Sequence, residues 1–195
     1  MKRIGLTGGI GSGKSYIAGI LQKMGFPVYF SDHRAKTILQ ERSAIKALLS
    51  RRFGEAIFVN DELDKKALAT VIFSSEENRI FINELIHPLV REDFDSWCKQ
   101  QNSSLVFNES ALLFETGSYR TYQATLLVCA PMALRIARVM ERDGLNHEEV
   151  EARIQSQWSD ERKSSLADGV IINDNQQPLL LQLETFIEGI LAVKT

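Results

Sequence analysis

The sequence predicts an α/β fold: a five-stranded parallel sheet in a three-layer arrangement, with helical segments inserted between strands. Three observations carry this. Short apolar, β-branched runs recur along the chain, helical patterns separate them, and a glycine-rich turn joins the first run directly to the first helix. Continuous apolar runs of this kind suit strands covered on both faces, as in parallel sheets joined by helical crossovers.

The first strand is read at Arg3 to Thr7. The first helix follows the glycines, because Ile17, Ile20, Leu21 and Met24 fall at i, i+3, i+4 and i+7, and Gly25 with Pro27 ends it. The second strand, Pro27 to Phe30, stops at Ser31 and Asp32, either of which suits the cap of a following helix. Residues 34–103 are mostly helical in pattern, with no convincing strand, and are too long for a simple crossover; they are expected to form a helical subdomain. A polar stretch from Lys99 to Ser104 leads into the third strand, Leu105 to Phe107. Ala124 to Cys129 supplies the fourth. A charged helical excursion, Pro131 to Ala167, separates it from the fifth, Gly169 to Ile172. The core is thus expected at about 1–33, 104–130 and 168–195, the helical subdomain at 34–103 and a lid at 131–167.

Composition excludes some partners. With 23 basic and 25 acidic side chains the net charge is −2, which offers no global attraction for nucleic acid or an anionic membrane. Any bound anion has to be held locally. Cys98 and Cys129 lack metal-ligand or redox spacing and read as buried thiols suited to a reducing compartment. The N-terminus lacks the apolar core of a secretory signal, and no apolar run reaches the length of a membrane span, so the expectation is a cytoplasmic chain.

Gly8 to Ser15, "GGIGSGKS", satisfies G-x-x-x-x-G-K-[ST] directly after a strand and before an amphipathic helix, the context this phosphate-binding motif requires. The glycines let backbone N–H groups turn toward phosphate oxygens, and the helix N-terminus adds positive partial charge. Lys14 is expected to reach the β and γ phosphates and Ser15 to ligate magnesium. The glycine spacing is not G-x-G-x-x-G, which disfavours a dinucleotide fold. Absence of Asn-Lys-x-Asp and of Leu-Ser-Gly-Gly-Gln removes the usual guanine selector and the transporter ATPase signature, favouring a small-molecule kinase. Arg135, Arg138 and Arg142, at i, i+3 and i+7, suit either a solvated face or a flap closing over a transferring phosphoryl group. In an open parallel sheet the ligand crevice lies beyond the C-terminal strand ends, so Asp32 stands where an acceptor hydroxyl could yield its proton.

The stretches "IGLTGGIGSGKS", "SDHRAK", "LIHPLVR" at 85–91, "ALLFETG" at 111–117, "RVMERDGL" at 138–145, "EARIQSQWSDERK" at 151–163 and "ADGVIIND" at 167–174 together, nearly end to end, make the chain resemble the dephospho-CoA kinase family. The resemblance implies a P-loop kinase fold with a helical CoA-binding insertion and a helical lid. The implied reaction transfers the γ-phosphate of ATP to the ribose 3′-hydroxyl of dephospho-CoA with magnesium, the last step of coenzyme A biosynthesis. By the same resemblance ATP contacts are expected from Gly9, Ile10, Gly11, Ser12, Gly13, Lys14, Ser15, Tyr16 and Asn173. Acceptor contacts are implied for Thr7, Asp32, His87, Arg91 and Glu115, and catalytic roles for Asp32, Lys14, Arg138 and Arg142. His87 and Arg91 stand at i and i+4 on a helix expected to begin near Pro88.

Two departures from the family's pattern matter. Phe30-Ser31-Asp32 replaces a common Asp-Ala-Asp, leaving Asp32 as the one acid there, and Glu109 with Ala111 stands where Asp and Pro commonly precede Leu-Leu-Phe-Glu. Glu109 follows an apolar strand and suits either a magnesium site or a structural role; Glu115 suits either arginines or acceptor. Two alternatives are a P-loop kinase for another small acceptor, such as a nucleoside monophosphate, and a nucleotide-switched binding module.

Overall fold

A computed structural model describes residues 1–60 and 62–193 of the chain. In chain order the elements are β1 (Lys2–Gly8), α1 (Lys14–Lys23), β2 (Val28–Phe30), α2 (Ser31–Glu41), α3 (Ser43–Phe53), β3 (Phe58–Val59), β4 (Glu62–Leu63), α4 (Lys65–Ser74), α5 (Glu76–Cys98), β5 (Leu105–Glu109), β6 (Ala124–Cys129), α6 (Met132–Asp143), α7 (His147–Gln155), α8 (Asp160–Ser164), β7 (Gly169–Ile172) and α9 (Leu179–Ala192). They fall into two compact units: Ser31–Gln100, and Met1–Phe30 with the chain from Gln101 onward.

The second of these units holds a five-stranded sheet in the order β2-β5-β1-β6-β7, with every neighbouring pair parallel. All five strands read from the sequence are present. Alternation along them explains the packing. Ile4 and Leu6, Leu105 and Phe107, and Leu126 and Val128 project to one face, where they bury Ile17, Ala18 and Leu21 of α1 and Leu183 and Ile187 of α9. Val106, Thr125 and Leu127, on the alternate positions, are buried as well, so the sheet is covered on both faces. The strand order places the end of β1 between β5 and β6, where the connections diverge to opposite sides, and this is the point at which open α/β sheets bind ligands.

In the same unit α6 and α7 form a helical pair with its own small core of Ile136, Val139, Val150 and Ile154. A capping box at Asn146 and Glu149 starts α7: the Asn146 side chain accepts from the Glu149 N–H at 2.9 Å and the Glu149 carboxylate accepts from the Asn146 N–H at 2.9 Å.

The unit Ser31–Gln100 packs α2, α3, α4 and α5 around Ile38, Leu39, Ile45, Leu49, Ile57, Leu63, Leu68, Ile82 and Ile86. Two sequence expectations need correction here. This stretch does contain strands, because β3 and β4 pair as an antiparallel ribbon of two residues each, too short to leave a periodic signal. Nor does the helix carrying His87 begin near Pro88: α5 starts at Glu76, capped by the Ser75 hydroxyl, and Pro88 lies in its interior. A proline there removes one ladder hydrogen bond, and the buried face carrying Ile82, Ile86 and Phe94 on both sides of it offsets that loss.

Candidate active site

The phosphate loop leaves β1 at Gly8 and enters α1 at Lys14. Gly11 and Gly13 hold φ values of +77° and +91°, conformations that a side chain disfavours. Crowding gives the glycines a second reason. A Cβ on Gly9 would strike the Arg135 guanidinium, one on Gly11 would lie 2.5 Å from the Arg135 carbonyl oxygen, and one on Gly13 would strike the Asn173 amide. The loop is therefore pressed against the first turn of α6 and the residue after β7, and only glycine permits that approach.

Three consecutive loop carbonyls are held from outside. Arg135 Nε donates to Ile10 O at 2.9 Å, Arg138 Nη1 to Gly11 O at 3.4 Å, and Asn173 Nδ2 to Ser12 O at 2.8 Å. The Ile10 N–H donates to Gln157 Oε1 at 2.8 Å and the Ser12 N–H to Gly9 O at 3.0 Å. Among the described residues no hydrogen bond takes up the N–H groups of Gly11, Gly13, Lys14 or Ser15. Carbonyls tied back with free N–H groups between them make a concave anion site, reinforced by the N-terminus of α1.

Beside it, Glu109 ends β5 and pairs in register with Leu6 on one side and Phe30 on the other. Its carboxylate is buried, accepts a hydrogen bond from Ser15 Oγ at 3.3 Å and lies 3.5 Å from Lys14 Nζ. Among the described residues no group of three or more His, Cys, Asp or Glu could cage a metal by itself. The Ser15 hydroxyl and Glu109 carboxylate are hard oxygen donors on one spot, and magnesium typically takes one or two such ligands and completes its octahedron with water and substrate phosphates. The donor set fits that mode.

The other expected residues are distributed as follows. Thr7 is fully buried and its hydroxyl donates to Ala111 O at 3.5 Å; Tyr16 is exposed on α1. Arg138 also donates to Asn173 O at 3.3 Å and Asn175 Oδ1 at 2.7 Å. Arg142 stands two turns further along α6 than Arg135, exposed, and binds Asp143 through two bonds of 2.7 and 2.9 Å. That guanidinium holds the Asp143 carboxyl below its ordinary range. Glu115 accepts from the Trp158 N–H at 3.1 Å and lies 2.8 Å from Nζ of the fully buried Lys163, so this carboxylate is engaged by a lysine and a backbone amide rather than by arginines. In the unit Ser31–Gln100, Asp32 is exposed in the first turn of α2, while Arg34 makes a two-pronged bond to Asp93 at 3.0 and 2.8 Å. His87 and Arg91 lie one turn apart on α5, and partial desolvation, then the Arg91 charge, lowers the His87 pKa, which keeps the imidazole neutral near pH 7.

Sequence reasoning did not assign roles to Gln157, Asp160 and Lys163, although all lie in the stretch "EARIQSQWSDERK", and it counted Arg135 only as one of three spaced arginines. Arg135 is buried and paired with Asp160 at 3.1 Å.

The chain matches a family model described as dephospho-CoA kinase over residues 2–178. It is 40% identical to a dephospho-CoA kinase of Bacteroides fragilis over 182 residues, covering 93% of this chain and 89% of that one. A crystal structure from Thermus thermophilus superposes with a TM-score of 0.85 at 38% identity, covering 100% and 98% of the two chains. The dephospho-CoA kinase of Campylobacter jejuni superposes at 0.70 with 26% identity and 96% coverage of both. Sheet order, phosphate loop and these matches agree: the chain belongs to the dephospho-CoA kinase family.

Proposed function

We propose that this chain transfers the γ-phosphoryl group of ATP to the ribose 3′-hydroxyl of dephospho-CoA, releasing CoA and ADP. One observation carries the reading at the level of geometry: four free N–H groups, Lys14, Ser15 and Glu109 converge at the end of β1, in a chain of this family. Lys14 and the loop amides hold the β and γ phosphates. Ser15 and Glu109 would hold magnesium, which when bound neutralises charge building on the phosphoryl oxygens. Arg138, whose guanidinium already lies on Gly11, is the arginine best placed to share that task.

Asp32 is the proposed base. Its chain position supports this: it follows by two residues Phe30, the β2 residue in register with Glu109. On α5, His87 as a neutral hydrogen-bonding group and Arg91 as a fixed cation are assigned to the acceptor. Arg142, exposed near the end of α6 and paired there with Asp143, is assigned with Arg138 to the transferring group, as the family resemblance implies.

A coupled ADP-release assay across dephospho-CoA, nucleoside monophosphates and sugars tests the reading. Turnover that depends on dephospho-CoA and is lost on chelating magnesium is expected. Equal turnover with every acceptor, or with none, would refute it.

A further inference from the structure

Ile10 is the one loop residue fixed through all three of its parts. Its N–H is taken by Gln157 at 2.8 Å, its carbonyl by Arg135 at 2.9 Å, and its side chain packs into the α6–α7 core with Ile136, Val139, Val150 and Ile154. These partners lie 147 and 125 residues away along the chain, so local loop chemistry does not supply them. Each is itself secured. Asp160 Oδ2 accepts from Arg135 Nη1 at 3.1 Å, and the N–H of Trp158, the residue after Gln157, donates to Glu115, which Lys163 holds from the buried side.

We infer that Ile10 is not a nucleotide contact but the key by which the α6–α8 segment sets the shape of the phosphate loop, with Gln157 and Arg135 as positioning residues. An N–H already donated to Gln157 is unavailable to phosphate, so the donors are those from Gly11 onward. Tying Ile10 at both ends fixes the peptide planes that aim them, since a rotated plane would turn an N–H out of the site and a carbonyl oxygen into it. Gln157 and Arg135 thereby act on nucleotide affinity without touching nucleotide.

The inference rests on reading the loop as the ATP site and is tested by a measurement that needs no acceptor. Gln157→Met keeps the side chain's length and removes its acceptor; Ile10→Ala removes the packing key. Titration calorimetry with a non-hydrolysable ATP analogue and magnesium is expected to show affinity about tenfold weaker in each, the size of one lost hydrogen bond or buried methyl cluster. The double variant should lose less than the product of the two, because both act through one residue. KM for dephospho-CoA is expected to stay within about twofold, the split that general destabilisation would not produce. Nucleotide affinity within about twofold of the parent in folded Gln157→Met would overturn the inference; if Ile10→Ala fails to fold, Gln157→Met, at a half-exposed position, decides alone. Parent protein that binds no nucleotide would instead overturn the reading of the site.

Discussion

Asp32 occupies the first turn of α2, where the helix N-terminus favours a negative side chain, so the carboxylate has an electrostatic reason to be there apart from chemistry. The two roles separate on substitution. Asp32→Asn keeps size and hydrogen-bonding capacity and removes proton acceptance, so kcat is expected to fall by about 10²- to 10⁴-fold while ATP affinity is retained. Turnover within a few-fold of the parent would remove Asp32 from the base role. Cys129, at the end of β6, tests the electrostatics of the Arg135 neighbourhood. Burial first, then the Asp160 charge, pushes its thiol from an ordinary 9.0 up to about 11, against smaller opposite effects of Ser164, Arg135 and Lys163. Iodoacetamide labelling of the folded protein, followed by mass spectrometry, is therefore expected to be slow at pH 8 and to accelerate until about pH 11. The sign for stability follows: above pH 9.0 the unfolded chain releases this proton before the folded one does, so Cys129's contribution falls as pH rises to about 11.

At the scale of elements, the start of α7 is held by a reciprocal cap, and its Val150 and Ile154 complete the small core that receives Ile10. Asn146→Ala removes the acceptor for the Glu149 N–H and is expected to lower stability by about 1 kcal/mol, read as a reduced urea midpoint with an unchanged slope. If α7 helps to fix the loop, the same variant should weaken ATP measurably, whereas an intact affinity would confine the cap to a stabilising role. α5 shows a different balance. Pro88 interrupts its hydrogen-bond ladder without ending it, since a run from Glu76 to Cys98 has enough buried surface on either side to keep the axis continuous.

For the molecule as a whole, β1 is bonded along both edges, to β5 and to β6, and Ile4 and Leu6 are fully buried. Its amides are expected to exchange with solvent among the slowest in the chain, and those of β7, bonded to β6 on one edge, faster. Deuterium exchange by mass spectrometry reads this directly, and fast exchange in Ile4 to Thr7 would contradict the sheet order. Much of this frame was legible in the sequence because two-faced burial leaves unbroken apolar runs, and Gly8 to Ser15 was legible because its backbone demands glycine at set places. The β3–β4 ribbon was not, since two residues per strand carry no period. Pro88 misled because proline favours a helix's first turn, and no local pattern reveals that tertiary burial will override it. The contacts of Arg135 and Gln157 with Ile10 were hidden for a plainer reason: a residue's partner more than a hundred positions away leaves no trace in local periodicity.

The outward-tied carbonyls of Ile10, Gly11 and Ser12 bear on how fast the donor can arrive. A loop that folded around phosphate would lose backbone freedom at each encounter, and many collisions would fail while it did so. Here that ordering is done once, when the chain folds, so capture of ATP is expected to need little rearrangement and its association rate to be governed by diffusion and charge.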